Sequence, residues 1–354
     1  MPLAFYAPLK PPDHTVPSGD RAMARGLVAA LQMGGAQVTI AAQLRSRDAV
    51  GEARIQAALI AEADALIPGI IAKGARAEWR AWITYHNYYK APDLIGPTVA
   101  RSLGIPYLLV EATRARKRLD GPWDRFARAA EAACDAADVI FYLTEHDGAA
   151  LRAYAPPAQR LVHLPPFLDR TDLPPQAVGS GSGLLSVAMM RAGAKMASYR
   201  LIAQTLAQVP GDWYLEIAGD GPQSAAVAAA MAPFAERVRF LGELDAAGLA
   251  DAYGRAGALL WPGVDEAFGM TYLEAQAHGL PVIAQDRPGV RDVLFPRDYP
   301  AVEDGPRGLA HLVRATLDTP PPSDRIRAHI AANHLLPAAA RTLRDGLSHA
   351  GVAL

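Results

Sequence analysis

A single cysteine, Cys134, stands in this chain of 354 residues. That excludes an intramolecular disulfide framework and any cysteine cluster for a metal, and a reducing compartment is its natural setting. The nine histidines form no HExxH-type spacing, and there is no Asp-x-Asp pair of the kind that holds a divalent ion beside a diphosphate. Chemistry without a metal and without a bound cofactor is therefore expected. No basic segment followed by an apolar one opens the chain, and no stretch of about 18 uninterrupted apolar residues occurs in it. A soluble, cytoplasmic protein is the expectation. An excess of one charge is missing too, since the formal net charge is −1, so no global field invites nucleic acid. Lysine is scarce, only Lys10, Lys73, Lys90, Lys117 and Lys195, a bias of genome composition that lets each be judged singly. The first apolar run is followed by PLKPPDHTVPSGDR and not by G-x-G-x-x-G, which argues against a Rossmann dehydrogenase.

What is present is a long chain, half of it apolar, enough for two domains of roughly 150 to 200 residues. Short apolar runs alternate with helical patterns: Leu3 to Tyr6, the amphipathic Arg21 to Met33, Gln37 to Ala42, then Ile105 to Glu111 and Asp138 to Thr144. A second series runs through Leu184 to Met189, Trp213 to Ala218, Val238 to Leu241, Ala258 to Trp261 and Pro281 to Ala284. Such alternation predicts βαβ units and a parallel sheet in each half, an α/β protein with two Rossmann-like domains. The boundaries expected are 1–168 for the first domain, 169–183 for a Pro/Gly/Ser-rich linker, 184–328 for the second domain, and 329–354 for a helical segment returning to the first. Pro337 should break or kink that last segment.

The densest signal lies in WPGVDEAFGMTYLEAQAHGLPVIAQDRPGVRD (261–292). An apolar run is followed by a turn, the carboxylate of Glu266, then Phe268, Gly269 and Met270, and then a helical pattern, so a helix should start near Gly269. Its free N–H groups favour an anion. Glu266 falls before that helix and Glu274 about one turn inside it. A ligand with hydroxyls at both ends and phosphates between them suits this arrangement, as a nucleotide-sugar has.

Arg191 and Lys195 follow the first strand of the second half, at the end of a parallel strand where ligands gather. They could neutralise a diphosphate leaving group, or form a solvated pair. Gly219 and Gly221 (in AGDGP) and Gly242 end strands on one side, where glycine serves close approach to a ligand or plain turn geometry. Near the N-terminus, Pro17-Ser18-Gly19-Asp20 opens a helix. Gly19 suits approach to phosphate or sugar, while Ser18 or Asp20 would serve as an N-cap. His86 closes the strand-like run WITYH and could face a substrate or simply pack. Glu111 ends IPYLLVE, an unusual place for a carboxylate, where it could accept an acceptor's hydroxyl proton. The basic run Arg114 to Arg118 reads as a solvated helix face, or more sharply as a contact to a membrane surface or an anionic acceptor. Trp79, Trp82, Tyr85, Tyr88 and Tyr89 form an aromatic stretch, with Trp82 expected in the core and the others open between core and a sugar or lipid platform.

Taken together, these motifs resemble the retaining GT-B glycosyltransferases of family 4 (group 1), most strongly over 184–294, through the E-x7-E pair Glu266 and Glu274, the AGDGP turn, FLG at 240–242 and the Arg/Lys pair. ADVIFYLTE (137–145) and VHLPPFLD (162–169) add fainter likeness. The resemblance implies two Rossmann-like domains facing across a cleft, a nucleotide-diphosphate sugar as donor, and a glycan, lipid or small-molecule acceptor. It also implies roles: Glu266 on the donor sugar's hydroxyls, the backbone of Phe268 to Met270 on sugar and phosphate, Glu274 on the ribose, and Arg191 with Lys195 on the diphosphate. Two departures stand out. The family's arginine usually precedes its lysine by five residues, where Met190 stands here, and a histidine is usual where this chain has Glu111. A nucleotide-sugar binding protein and a GT-B epimerase or phosphorylase are the alternatives to transfer.

Overall fold

The computed structural model describes residues 1–15, 18–179 and 183–353. Pro17 of the loop before the first helix, 180–182 of the expected linker and Leu354 lie outside them. The chain divides into two compact units, Met1–Pro165 with Leu336–Leu354, and Pro166–Leu335.

Unit 1 runs β1 (Pro2–Tyr6), α1 (Gly19–Met33), β2 (Gln37–Ile40), α2 (Ala53–Arg76), β3 (Trp82–Asn87), α3 (Gly96–Leu103), β4 (Tyr107–Ala112), α4 (Asp124–Ala136), β5 (Val139–Tyr142), α5 (Glu145–Arg152) and β6 (Arg160–His163). Unit 2 runs β7 (Gly183–Val187), α6 (Ala194–Leu206), β8 (Tyr214–Ala218), α7 (Ser224–Met231), β9 (Val238–Gly242), α8 (Ala246–Arg255), β10 (Ala258–Leu260), α9 (Met270–Ala277), β11 (Val282–Ile283), α10 (Gly305–Asp318) and α11 (Ser323–Asn333); α12 (Leu336–His349) then belongs to unit 1. All pairings between these strands are parallel. The apolar runs explain it: a strand covered by crossover helices on both faces must be apolar on both, as Leu3, Ala4, Phe5 and Tyr6 of β1 are, all fully buried.

The sheet orders are β2-β1-β3-β4-β5-β6 and β11-β10-β7-β8-β9. Each reverses direction once, between β1 and β3 in unit 1 and between β7 and β10 in unit 2. At such a reversal the crossover helices leave the sheet on opposite faces, opening a crevice outside the strands' carboxyl ends. Asp20 follows β1 and His86 lies at the end of β3, the two switch strands of unit 1; Arg191, Lys195 and Glu266 follow those of unit 2.

Two boundaries differ from expectation. The described part of the expected linker, 169–179, does not hang free: just before it Leu168 N–H donates to His334 O at 2.8 Å, and within it Ala177 N–H donates to His278 O at 2.8 Å and Val178 N–H to Gly254 O at 2.8 Å, so backbone hydrogen bonds fasten it to unit 2. Residues 329–335 also stay with unit 2, and the return to unit 1 begins at Leu336. Pro337 sits in the first turn of α12, where a missing N–H costs nothing. Among the described residues, α2 alone is long and apolar enough, by length and composition, to cross a membrane; its buried residues include Ala63, Ile67, Ile70 and Gly74.

α12 packs against α1 and β5. A Cβ on Gly346 would lie 2.2 Å from Cζ of the buried Phe141, so Gly346→Ala should overpack this seam. A loss of about 1–3 kcal/mol in urea unfolding is expected; an unchanged midpoint would contradict this packing.

Candidate functional site

In unit 2 the loop after β10 is organised around one carboxylate oxygen. Trp261, fully buried, donates its indole N–H to Oε1 of Glu266 at 2.9 Å. The Lys195 ammonium donates to the same oxygen and lies 5.3 Å above the Trp261 ring. Two donors, one of them charged, thus fix Glu266 in direction. The tight turn before it needs a left-handed residue, Asp265 at φ 50°, and is tied to α6 by Val264 N–H donating to Ser198 Oγ at 3.2 Å.

Gly269 (φ 80°) immediately precedes α9. A Cβ there would sit 2.6 Å from Cε2 of Tyr272, whose hydroxyl donates to Trp261 O at 3.1 Å, so only glycine lets the chain turn so close to that ring. No side chain caps α9, nor α6 at Gly193. Both helix starts flank Glu266 in the chain's layout with backbone donors that no side chain caps. Phe268 and Met270 are half-buried against the core of unit 2. Glu274, on α9, accepts from Tyr253 Oη of α8 at 2.9 Å. Burial pushes its carboxyl above the ordinary range, and Tyr253 only partly opposes this.

Arg191 is exposed and makes no ion pair with the described residues. Met190, where the family resemblance leads one to expect arginine, is buried: its N–H donates to Asp220 O at 2.8 Å and its C=O accepts from Gln223 N–H at 2.9 Å. That backbone position is locked into the core of the turn, and the cation is displaced to the next residue. The close approach that Gly219 (φ 139°) and Gly221 (φ 150°) allow is to this neighbouring loop, since a Cβ would lie 2.0 Å from Ala188 O and 2.5 Å from Met190 O. Around Gly242 (φ 70°) and Gly19 a Cβ would meet nothing within 4 Å; Ser18 is the N-cap of α1, accepting from Arg21 N–H at 3.2 Å.

In unit 1 the structure brings together His86, Glu111 and a residue that sequence reasoning read only as a cap, Asp20. His86 Nδ1 lies 3.5 Å from Asp20 Oδ1 and 3.7 Å from Glu111 Oε2. His86 and Glu111 end adjacent strands with left-handed backbones, φ 66° and 58°, a strained choice for residues with a Cβ that costs on the order of 1–3 kcal/mol each. Burial disfavours the imidazolium, but Glu111 and Asp20 outweigh it and raise the His86 pKa. Glu111 is itself raised, because burial outweighs the help of His86 and the Tyr85 hydroxyl. Asp20 is lowered, chiefly by the His86 ring beside it.

The basic run 114–118 is not one solvated face. Arg114 is buried and bridges Glu131 (2.9 Å) and Asp135 (2.6 Å) of α4, so it anchors the loop and cannot touch a membrane. Arg116, Lys117 and Arg118 form a short 3-10 turn. Trp79, Trp82 and Tyr85 are core, while Tyr88 and Tyr89 are half-exposed. Among the described residues no three His, Cys, Asp or Glu side chains converge to hold a metal ion. Sequence reasoning missed Trp261 and Tyr253 as partners of the two glutamates; the aromatic end of an apolar run was the available signal for Trp261.

This architecture is that of the GT-B glycosyltransferase structures. Over 97% of both chains it is similar to the sucrose-phosphate synthase of Thermosynechococcus elongatus, with a TM-score of 0.68 and 18% identity. A lipopolysaccharide outer core galactosyltransferase gives 0.68 and 16% over 98% of this chain and 99% of that one, and HepE of Anabaena, solved with UDP-glucose, 0.65 and 13% over 98% and 99%. Residues 183–318 match the family described as Glycosyl transferases group 1. A GDP-mannose-dependent alpha-mannosyltransferase of Mycolicibacterium smegmatis is 47% identical over 57 residues, which span 16% of this chain and 15% of that protein.

Two titrations test the geometry. With its folded pKa raised above the ordinary 4.5, Glu274 favours the folded state at low pH, and this contribution is lost as pH rises from 4.5 through the folded value. Glu274→Gln should flatten that slope in urea unfolding between acid and neutral pH; an identical slope would refute the burial of a charge there. By NMR, His86 should titrate above 6.5 and fall in Asp20→Asn. Its stabilising charge is present below 6.5 and lost as pH rises through the folded pKa, and a His86 value indifferent to Asp20→Asn would refute the pairing.

Proposed function

We propose that the protein is a metal-independent, retaining glycosyltransferase of the family 4 type, of the hexosyltransferase kind, that transfers a sugar from a nucleotide-diphosphate sugar to an acceptor hydroxyl. The observation that carries this reading is the convergence of Lys195 and Trp261 on one oxygen of Glu266 at the β7/β10 switch point, inside the segment that matches the group 1 glycosyl transferases. The nucleotide-sugars named for the relatives, GDP-mannose and UDP-glucose, support the donor class and leave base and sugar open.

In this reading Glu266 receives donor-sugar hydroxyls, its orientation already set by Trp261 before substrate arrives, so little reorganisation remains. Lys195 exchanges its carboxylate contact for the diphosphate, joined by the free Arg191 and the uncapped starts of α6 and α9. The backbone of Phe268, Gly269 and Met270 lies along sugar and phosphate. Glu274, raised by burial, gains hydroxyl donors from the ribose in addition to Tyr253. As the bond from the sugar's anomeric carbon to the diphosphate breaks, positive charge grows on the sugar ring and negative charge on the departing oxygen. Arg191, Lys195 and the helix N–H groups stabilise the latter. The departing phosphate oxygen takes the acceptor hydroxyl's proton, and the acceptor oxygen bonds the same face of the sugar, which preserves configuration. His86 and Glu111 belong to the acceptor side. A cytoplasmic location completes the proposal, supported by the one cysteine, Cys134, being a buried free thiol.

Lys195→Ala and Glu266→Ala should still fold cooperatively yet lower turnover of a radiolabelled nucleotide-sugar by roughly 10²–10³-fold, equivalent to about 2.7–4 kcal/mol of barrier. Full turnover in either folded variant would sink the assignment. Recovery of label as free sugar phosphate or as an epimerised nucleotide-sugar would replace transfer by the corresponding alternative.

A further inference from the structure

Unit 1 carries a second group of side chains that the donor chemistry does not use. Three loops leave the carboxyl ends of β2, β3 and β4 and are tied to one another. Asp48 N–H donates to Lys90 O at 2.9 Å, Trp123 Nε1 donates to Asp48 O at 3.1 Å, and Tyr88 pairs with Ala91 across a tight turn that holds Tyr89 and Lys90 at its tip. Gly51 makes the seam possible, since a Cβ there would lie 2.7 Å from Pro122 Cβ and 3.1 Å from the Trp123 ring.

On this platform Tyr89 and Trp123 meet edge to face at 5.5 Å. Two cations sit over the same two rings: Arg118 at 4.9 and 5.8 Å, Lys90 at 5.7 and 5.4 Å from the Tyr89 and Trp123 centroids. Neither makes an ion pair among the described residues, and Arg118 Nε is buried without a hydrogen-bond partner. A third cation, Arg47, faces the Tyr88 hydroxyl. Like charges gathered on fixed rings repel one another unless an anion sits among them. Tyr88 in turn lies 4.7 Å from the His86 ring, so the cationic platform adjoins the Asp20–His86–Glu111 group.

We propose that this platform binds a phosphate group of the acceptor, placing its reacting hydroxyl near His86; this rests on the transferase reading above. Three cations, one of them a guanidinium with an unused N–H, match the several oxygens and the double charge of a phosphate better than a single carboxylate. The rings supply a flat apolar surface for the sugar or glycerol that bears it.

The test uses the 354-residue chain carrying Lys195→Ala, so that the diphosphate side of unit 2 does not report. Tryptophan fluorescence, to which Trp123 contributes, is titrated with glycerol 3-phosphate, with phosphatidylglycerol vesicles and with glucuronate. Saturable quenching by glycerol 3-phosphate assigns a soluble phosphorylated acceptor, and quenching by vesicles alone assigns a lipid headgroup. The apparent Kd should rise at least tenfold in Arg118→Ala and in Lys90→Ala, the latter at a half-exposed turn tip, with a cooperative urea transition in both confirming that they fold, and stay unchanged in Lys117→Ala. Quenching by neither phosphate probe, equal affinity for glucuronate, or a Kd indifferent to both platform variants would overturn the proposal. Donor-dependent thermal stabilisation of the same platform variants, with Lys195 intact, reports on the transferase reading separately.

Discussion

The site in unit 2 depends on a constraint of connectivity. From β7 the chain winds outward one way to β8 and β9 and then returns to place β10 on the other side of β7. Because crossovers between parallel strands are right-handed almost without exception, this strand order sends α6 and α9 to opposite faces of the sheet. The ends of β7 and β10 are therefore the one pair in that sheet not roofed by a shared helix. What the sequence must supply is a loop after each strand that fills this opening with polar groups and still closes over the core. Glu266 meets both demands: its carboxylate neutralises Lys195 and satisfies the Trp261 indole N–H, whose ring is part of the core beneath.

The same constraint acts in unit 1 between β1 and β3, with a different solution. There the opening holds Asp20, His86 and Glu111, three titratable groups in partial burial, and two of them are held in left-handed backbone. Strain of that kind persists only where surrounding contacts over-determine it. Here they do: Asn87, next to His86, donates to Ala130 O at 3.0 Å and accepts from Asp93 N–H at 2.9 Å, while the Asp93 carboxylate accepts from Ile95 and Gly96 N–H and from the Tyr107 hydroxyl.

Much of this was legible in the chain. Among the described residues the alternation of apolar runs marked nine of the eleven strands' neighbourhoods, and the strand-like WITYH marked β3, because parallel strands advertise themselves by being apolar on both faces, and the short polar β6 was the weakest signal. The turn, carboxylate, glycine and helix after β10 were readable because each obeys a local rule of backbone geometry. What local rules do not encode is who meets whom. Trp261 and Lys195 find Glu266 only through the sheet, and Asp20 finds His86 across more than sixty residues of chain. Arg114 looked like one of several surface cations until α4 brought Glu131 and Asp135 to it. The left-handed φ of His86 and Glu111 was equally hidden, since nothing in those residue types announces it.

The return of α12 to unit 1 has a consequence for how the molecule is made. Unit 2 is one continuous stretch, Pro166–Leu335, whereas unit 1 is completed by Leu336–Leu354. During synthesis, then, the N-terminal half emerges first but stays open along the face of α1 that α12 covers until Leu336–His349 has emerged as well. The usual order, in which the N-terminal domain finishes before the next begins, is inverted: unit 2 is the first body able to complete its core, and a ribosome stalled before α12 leaves unit 1 with an uncovered apolar seam for chaperones and proteases to read.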